Sequence, residues 1–278
     1  MRYQIMIRQP AVAGPFYSAS PEALEATVTQ YLGPASPTQP VLALVSPHAG
    51  LMYSGHVAGA VFARATIPQT VILVGPNHTG LGPPVSVYPD GSWQIPGGEV
   101  PIDSQLVEQI LTRYPQAEAD LSAHRLEHCL EVQLPFLRYV RADLRIVPIV
   151  LATTNPDICR ELGDRLAEII QDRAAKQASM AKPLLLASTD MNHYESDQVT
   201  REKDRYAIAA IERLDAEELM TAVRTHRISM CGLAPTATVL HAARTLGATR
   251  ASLIRYATSG DISGDYDRVV GYAGLTID

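Results

Sequence analysis

Short apolar runs alternate with amphipathic stretches along most of the chain. Four runs of β-branched and aliphatic residues, at 41–45, 70–74, 145–151 and 183–188, predict buried strands. The stretch 157–172 repeats its apolar residues with the period of a helix. Continuous apolar strands separated by helices are typical of an α/β sheet with helices on both faces. The pattern predicts one α/β domain over residues 1–278, with a mostly parallel or mixed central sheet.

The same reasoning places the remaining elements. Further helices are predicted at 54–65, 103–113, 128–140, 197–213, 216–225 and 232–246. Two more strands are predicted near 250–257 and 268–277. Pro148 within its run predicts an edge strand or an irregularity, because proline cannot donate to a sheet. The Pro- and Gly-rich region 84–98 predicts a small antiparallel piece.

Composition and charge exclude several classes of protein. Lys and Arg number 23 against 29 Asp and Glu, a net charge of −6, and no basic run is present, which argues against nucleic-acid binding. No apolar stretch approaches the roughly 20 residues of a membrane span. The N-terminal sequence lacks the apolar core of a signal peptide, so a cytoplasmic location is expected. Three widely spaced cysteines do not form a disulfide framework.

Histidines follow three of the predicted strands. His48, His78 and His193 each lie a few residues beyond a buried run, where loops converge at the carboxyl edge of a parallel sheet. Imidazole is the commonest protein metal ligand and a general base near neutral pH. The three side chains are therefore candidates for one cleft. The alternative is that each is a polar loop residue bonded to backbone or water.

Asp190 and Cys231 extend this candidate site. Asp190 precedes His193 by three residues and is placed to orient an imidazole, accept a proton or ligate a metal; the alternative is a cap. Cys231 comes just before a predicted helix, where a lowered thiol pKa favours nucleophilic attack or metal binding. The alternative for Cys231 is an inert buried thiol.

A second histidine motif lies between these segments. His124, Glu127 and His128 match the H-x-x-E-H form of a zinc-peptidase signature, which requires both imidazoles on one helix face. The competing interpretation is that His128 and Glu131 are borne on a helix and face the cleft.

Eight segments together resemble the Memo-like family and extend over essentially the whole chain. They are residues 10–17, 46–55, 75–78, 127–137, 188–194, 231–232, 256–261 and 269–273. Bacterial and archaeal members are often called AmmeMemoRadiSam system protein B. The resemblance implies a fold similar to class III extradiol dioxygenases, with His48, His78 and Cys231 as metal ligands. It also implies that His193, as acid or base, and Asp190 line the same site.

The chain departs from these related proteins at two positions. Ring-cleaving dioxygenases complete two histidines with a carboxylate around iron, whereas Cys231 matches the third position here. A thiolate softens the site toward copper or zinc and alters the redox chemistry of iron, so iron or copper is expected, with zinc also possible. Phe16 replaces a tryptophan found in relatives linked to peptide binding. We expect metal-dependent redox chemistry on a small-molecule substrate or O₂. The alternatives are a non-catalytic module that binds a peptide or protein, such as the AMMECR-type and radical SAM proteins of the same system, and the zinc peptidase.

Overall fold

The computed structural model describes residues 6–176 and 181–278, and within these ranges a sheet of nine strands is the central feature. The strands are β1 (Ile7–Arg8), β2 (Ala43–Ser46), β3 (Thr70–Pro76), β4 (Val85–Val87), β5 (Ser92–Ile95), β6 (Gly98–Pro101), β7 (Glu118–Ala119), β8 (Arg145–Leu151), β9 (Leu184–Ser188), β10 (His193–Glu195), β11 (Ala251–Thr258) and β12 (Val269–Ile277). Strands β1, β5 and β6 form a separate small sheet.

The central sheet is mixed. Its strands follow the order β10-β12-β2-β9-β3-β8-β4-β7, and β11 also pairs with β12. The four middle strands β2, β9, β3 and β8 run parallel, while β12 and β4 join them antiparallel on either side. The parallel centre matters for function, because the carboxyl ends of β2, β9 and β3 meet at one edge.

Helices connect the strands and cover both faces of the sheet. They are α1 (Pro21–Leu32), α2 (Leu51–Phe62), α3 (Ser104–Arg113), α4 (Ser122–Arg125), α5 (Leu134–Val140), α6 (Pro156–Lys176), α7 (Asp197–Glu212), α8 (Ala216–His226), α9 (Leu233–Thr245) and α10 (Gly260–Ser263). Among the helices of the described ranges, none has both the length and the apolar composition that crossing a membrane requires.

Packing of these helices buries the middle of the sheet completely. Helix α2 packs on β2, β11 and β12, whereas α9 packs on β2, β9, β3 and β8 and is itself covered by α6. Gly163 permits the close approach of α6 to α9, since a Cβ there would lie 2.6 Å from the Thr238 carbonyl oxygen. Most buried apolar side chains belong to one continuous cluster. The predicted α/β domain with helices on both faces is confirmed.

Pro148 does not mark an edge strand, the first of the two possibilities predicted from the sequence. Strand β8 pairs with β3 on one side and with β4 on the other. The Pro148 carbonyl accepts the Tyr88 N–H, so the proline nitrogen faces the same side, just beyond Val87, where β4 ends. Tyr88 lies opposite Pro148, and because the proline has no N–H to return to it, the ladder between β8 and β4 ends at this pair.

Two further boundaries differ from the predictions. The helix predicted at 128–140 begins only at Leu134, after a 3₁₀ turn at Glu131–Gln133, and residues 126–130 are not helical. The region 84–98 is divided: β4 joins the central sheet, while β5 pairs with β6 in the small antiparallel hairpin.

Candidate metal centre

The candidate site lies at the carboxyl edge of three adjacent parallel strands. His48 comes two residues after β2, Asp190 two residues after β9, and His78 two residues after β3. Because β9 lies between β2 and β3, the three loops start side by side. The convergence expected from the strand ends is therefore present for these side chains.

Three imidazoles gather at this edge. His48, His78 and His128 each offer a ligand atom within 4.8 Å of the others. Their ring centroids are 5.3 Å apart for His48 and His78, 5.4 Å for His48 and His128, and 4.6 Å for His78 and His128. His128 lies in the loop after α4 rather than on a helix. His128 faces the cleft as expected. The sequence did not indicate that it joins His48 and His78 as a possible metal ligand. Its position directly after Glu127 is the one feature of the sequence that could have suggested this.

Glu127 is the buried anchor of this cluster. Its side chain accepts hydrogen bonds from the backbone N–H and Nδ1 of His78, at 2.6 and 2.8 Å, and from the N–H groups of His128 and Cys129, both at 3.0 Å. Burial by itself would raise the pKa of Glu127, but the hydrogen bond and charge of His78 and the backbone donors lower it to about 2. Glu127 is thus ionised at neutral pH, so His78 Nδ1 donates to it, and in the neutral imidazole Nε2 carries the lone pair.

His48 is the most buried of the three imidazoles, with 1% of its surface exposed. Its Nδ1 lies 2.9 Å from Ser188 Oγ, and its Nε2 lies 3.3 Å from Cys231 Sγ. Burial, together with the nearby His128 and His78, holds the pKa of His48 well below its ordinary value. A neutral imidazole is the form that binds a metal.

Cys231 contacts the histidine cluster at His48 Nε2. It immediately precedes Gly232, the N-cap of α9, where a Cβ would lie 2.3 Å from Thr189 Cβ, so only glycine allows this close approach. Burial and the charge of Asp190 raise the pKa of the Cys231 thiol. The lowered pKa expected at a helix start is therefore wrong, because desolvation outweighs the helix. In the metal-free chain Cys231 is a neutral thiol.

Asp190 and His193 are held by different partners. Asp190 Oδ1 accepts the backbone N–H groups of His48, at 2.8 Å, and Ala49, at 3.3 Å, and burial raises the pKa of this carboxyl. His193 Nδ1 lies 2.8 Å from the Ser229 carbonyl oxygen. The expectation that Asp190 orients the His193 ring is not met, since the contact that orients it comes from Ser229.

The residue after His193 has an uncommon backbone conformation. Tyr194 has φ 63°, in the left-handed region that favours glycine, and its side chain is 66% exposed. Strained backbone of this kind concentrates at functional sites, because the surrounding structure must enforce it.

The zinc-peptidase arrangement is wrong. Helix α4 ends at Arg125, so His124 and His128 do not share a helix face. His124 is fully buried, its Nε2 lies 3.0 Å from Ser86 Oγ, and burial lowers its pKa to about 4. It takes no part in the group formed by His128.

Glu131 does not face the cleft, contrary to expectation. It is fully buried and accepts hydrogen bonds from Arg8, at 2.6 Å, from Tyr17, at 2.6 Å, and from the N–H groups of Ala11 and Val12. Its role is to attach the N-terminal arm. That attachment places Phe16, whose ring centroid lies 5.0 Å from that of His128, at the side of the cluster.

Comparison with known proteins identifies the family of the chain. A family model described as Memo-like protein matches residues 8–276. The chain belongs to the Memo-like family. A MEMO1 family protein from Aquifex aeolicus is 43% identical over 97% of this chain and 98% of its own length. A second, from Methanopyrus kandleri, is 39% identical over 97% and 98%.

A solved structure supports the fold of this Memo-like chain. An uncharacterized protein from Escherichia coli K12 matches 84% of this chain and 98% of its own, with a TM-score of 0.55 and 13% identity. At that identity the likeness concerns the fold alone. The resemblance to the Memo-like family inferred from sequence is confirmed by the family match.

Proposed function

We propose that this Memo-like protein is a metal-dependent oxidoreductase that acts on a small molecule or O₂, with His48, His78 and Cys231 as metal ligands. The observation that carries this proposal is the meeting of His48 and His78 at one sheet edge, with the Cys231 thiol 3.3 Å from His48 Nε2. His128 provides a further imidazole beside them.

The donor chemistry fits such a metal. Both His48 and His78 have Nδ1 engaged by an outer partner, which leaves Nε2 as the donor atom. A thiol with two imidazoles suits iron, copper or zinc better than a hard cation. Binding requires the thiolate, so the metal must displace the proton of Cys231, and its affinity is expected to rise with pH.

The protein's own groups supply proton transfer and positioning. When bound, iron or copper supplies Lewis-acid and one-electron redox chemistry. His193 donates Nδ1–H to the Ser229 carbonyl, which can only accept, so His193 Nε2 is free to take up a proton. Asp190 holds the His48 backbone through its N–H and so sets where that imidazole enters the site.

Metal analysis tests this assignment. Protein purified without chelators is compared with His48→Ala, His78→Ala and Cys231→Ser by mass spectrometry of bound metals. His226→Gln is the matched control, because His226, at the end of α8, stacks on Tyr206 of α7, outside the cluster. We expect each ligand variant to lose iron or copper and the control to retain it. Full metal content in both His48→Ala and Cys231→Ser would show that the assignment is wrong.

A second candidate function is a binding module that uses the same edge to hold a peptide or protein. Exposed apolar side chains next to site residues favour it: Met52 is 60% exposed, Leu126 59% and Tyr194 66%. AMMECR-type and radical SAM proteins of the same system are the proposed partners. Co-purification with these proteins that is lost in Met52→Ser and Tyr194→Ser, together with absence of metal, supports this function over the first.

A further inference from the structure

A buried chain of hydrogen bonds lies behind His48, on the side away from Cys231. Ser188 Oγ contacts the Cys129 carbonyl oxygen at 2.7 Å, Gln133 Nε2 at 2.9 Å and His48 Nδ1 at 2.9 Å. Ser188 and Gln133 have no exposed surface, and His48 has 1%. Water does not reach these groups freely, so their hydrogen-bond directions are set by one another.

The direction of each bond follows from which atoms carry protons. A carbonyl oxygen only accepts, so the single hydroxyl proton of Ser188 goes to Cys129. Gln133 Nε2 also lies 2.9 Å from the Pro47 carbonyl oxygen, and a flipped amide would place two acceptors against each other there. Gln133 therefore donates to Ser188. The remaining capacity of Ser188 Oγ is as an acceptor, and His48 Nδ1 must donate to it.

We propose that Ser188, oriented by Cys129 and Gln133, is a positioning residue that holds His48 in the Nδ1–H tautomer. His48 Nε2 then carries the lone pair, and this is the atom that lies 3.3 Å from Cys231 Sγ. A hydroxyl usually either donates or accepts by rotating, but here its proton is already committed. Ser188 thus does for His48 what the Glu127 carboxylate does for His78. The importance of Ser188 for metal binding rests on the proposed function, whereas the assignment of the His48 tautomer does not.

Two-bond ¹H–¹⁵N correlation spectra of the metal-free, full-length protein labelled with ¹⁵N-histidine test the tautomer directly. The His48 signals are identified by their loss in His48→Gln. We expect the His48 proton on Nδ1 in the wild type. A proton on Nε2 would overturn the proposal without any change at Ser188.

Substitutions test the part played by Ser188. Ser188→Ala removes the acceptor, and Ser188→Cys, closer in size, replaces it with a weak one. Ser46→Ala is the matched control, because Ser46 pairs with Ser188 in register and its buried hydroxyl has no hydrogen-bond partner among the described residues. We expect the Nε2–H tautomer to appear in both Ser188 variants and not in the control. Unchanged Nδ1–H in a folded Ser188 variant would overturn the proposal.

Titration with Zn²⁺ connects the tautomer to metal binding. Loss of the group that orients a ligating imidazole is expected to weaken Zn²⁺ binding by about 10–100-fold in Ser188→Ala, with Ser46→Ala unchanged. Equal Zn²⁺ affinity in the wild type and Ser188→Ala would overturn the role of Ser188 at the centre. Failure of the wild type to bind Zn²⁺, Fe²⁺ or Cu²⁺ in the same titration would instead refute the proposed function, and the spectra of the metal-free protein would still decide the tautomer.

Discussion

Replacement of Glu127 by glutamine removes one charge from the middle of the site while keeping the shape of the side chain. The two carboxylate oxygens of Glu127 accept four hydrogen bonds, two of them from His78. In Glu127→Gln, the amide group must face at least one of these N–H donors, which loses its partner. A hydrogen bond to a charged group contributes about 1.5–3 kcal/mol, and the other bonds become weaker neutral ones. We expect the free energy of unfolding to fall by roughly 2–4 kcal/mol.

The same substitution is expected to lower metal affinity. His78 Nδ1 loses the carboxylate that fixes its tautomer, and loss of such a partner weakens metal binding by about 10–100-fold. Urea unfolding of the metal-free protein measures the first effect. Competition titration with Zn²⁺ measures the second.

Glu131→Gln is the control for this experiment. Glu131 is equally buried and also accepts four hydrogen bonds, but from the N-terminal arm instead of the histidines. It should destabilise the protein by a similar or larger amount, about 3–5 kcal/mol, because the buried Arg8 loses its opposite charge. Its Zn²⁺ affinity should stay close to that of the wild type. If both variants lose affinity equally, the effect reflects general destabilisation, and our reasoning about Glu127 is wrong.

Three further predictions concern other parts of the chain. Burial raises the pKa of Asp204 to about 6, so its stabilising protonated form is lost as pH rises through 6. Relative to Asp204→Asn, the wild type should gain roughly 2.5 kcal/mol as pH falls from 7 to 4, measured by urea unfolding; a constant difference would contradict this. Gly232→Ala should displace Cys231 by forcing a Cβ against Thr189 and weaken Zn²⁺ binding; unchanged affinity would show that the close approach is not needed. Tyr194→Gly should stabilise the protein by about 1 kcal/mol, because glycine adopts this positive φ without strain. Thermal unfolding measures the change, and a lower Tm than the wild type would contradict the prediction.

Local patterns were sufficient to predict much of this fold. The apolar runs that became β2, β3, β8 and β9 were recognised within a few residues, because strands buried on both faces must be continuously apolar. The same runs showed where each strand ends, which located His48, His78 and Asp190. Those three positions needed only the general geometry of parallel sheets.

Two glutamates that lie close together in the sequence occupy different environments in the structure, and no local pattern distinguishes them. Glu127 and Glu131 lie four positions apart and both are fully buried, yet one holds the histidine cluster and the other holds the N-terminal arm. The difference arises because the backbone between them passes from a loop into a 3₁₀ turn. A continuous helix through both residues would have placed them on the same face.

By itself the sequence determined the family, the α/β class and the residues that leave the carboxyl edge of the sheet, because these depend on periodicity and on short motifs. Only the tertiary structure decided that β9 lies between β2 and β3, that His128 joins the cluster, and that Ser188 lies behind His48. It also reversed the expected pKa shift of Cys231, because the surrounding protein desolvates the thiol beside Asp190. Strand order, burial and hydrogen-bond direction depend on contacts between residues far apart in the chain, and a local pattern does not contain that information.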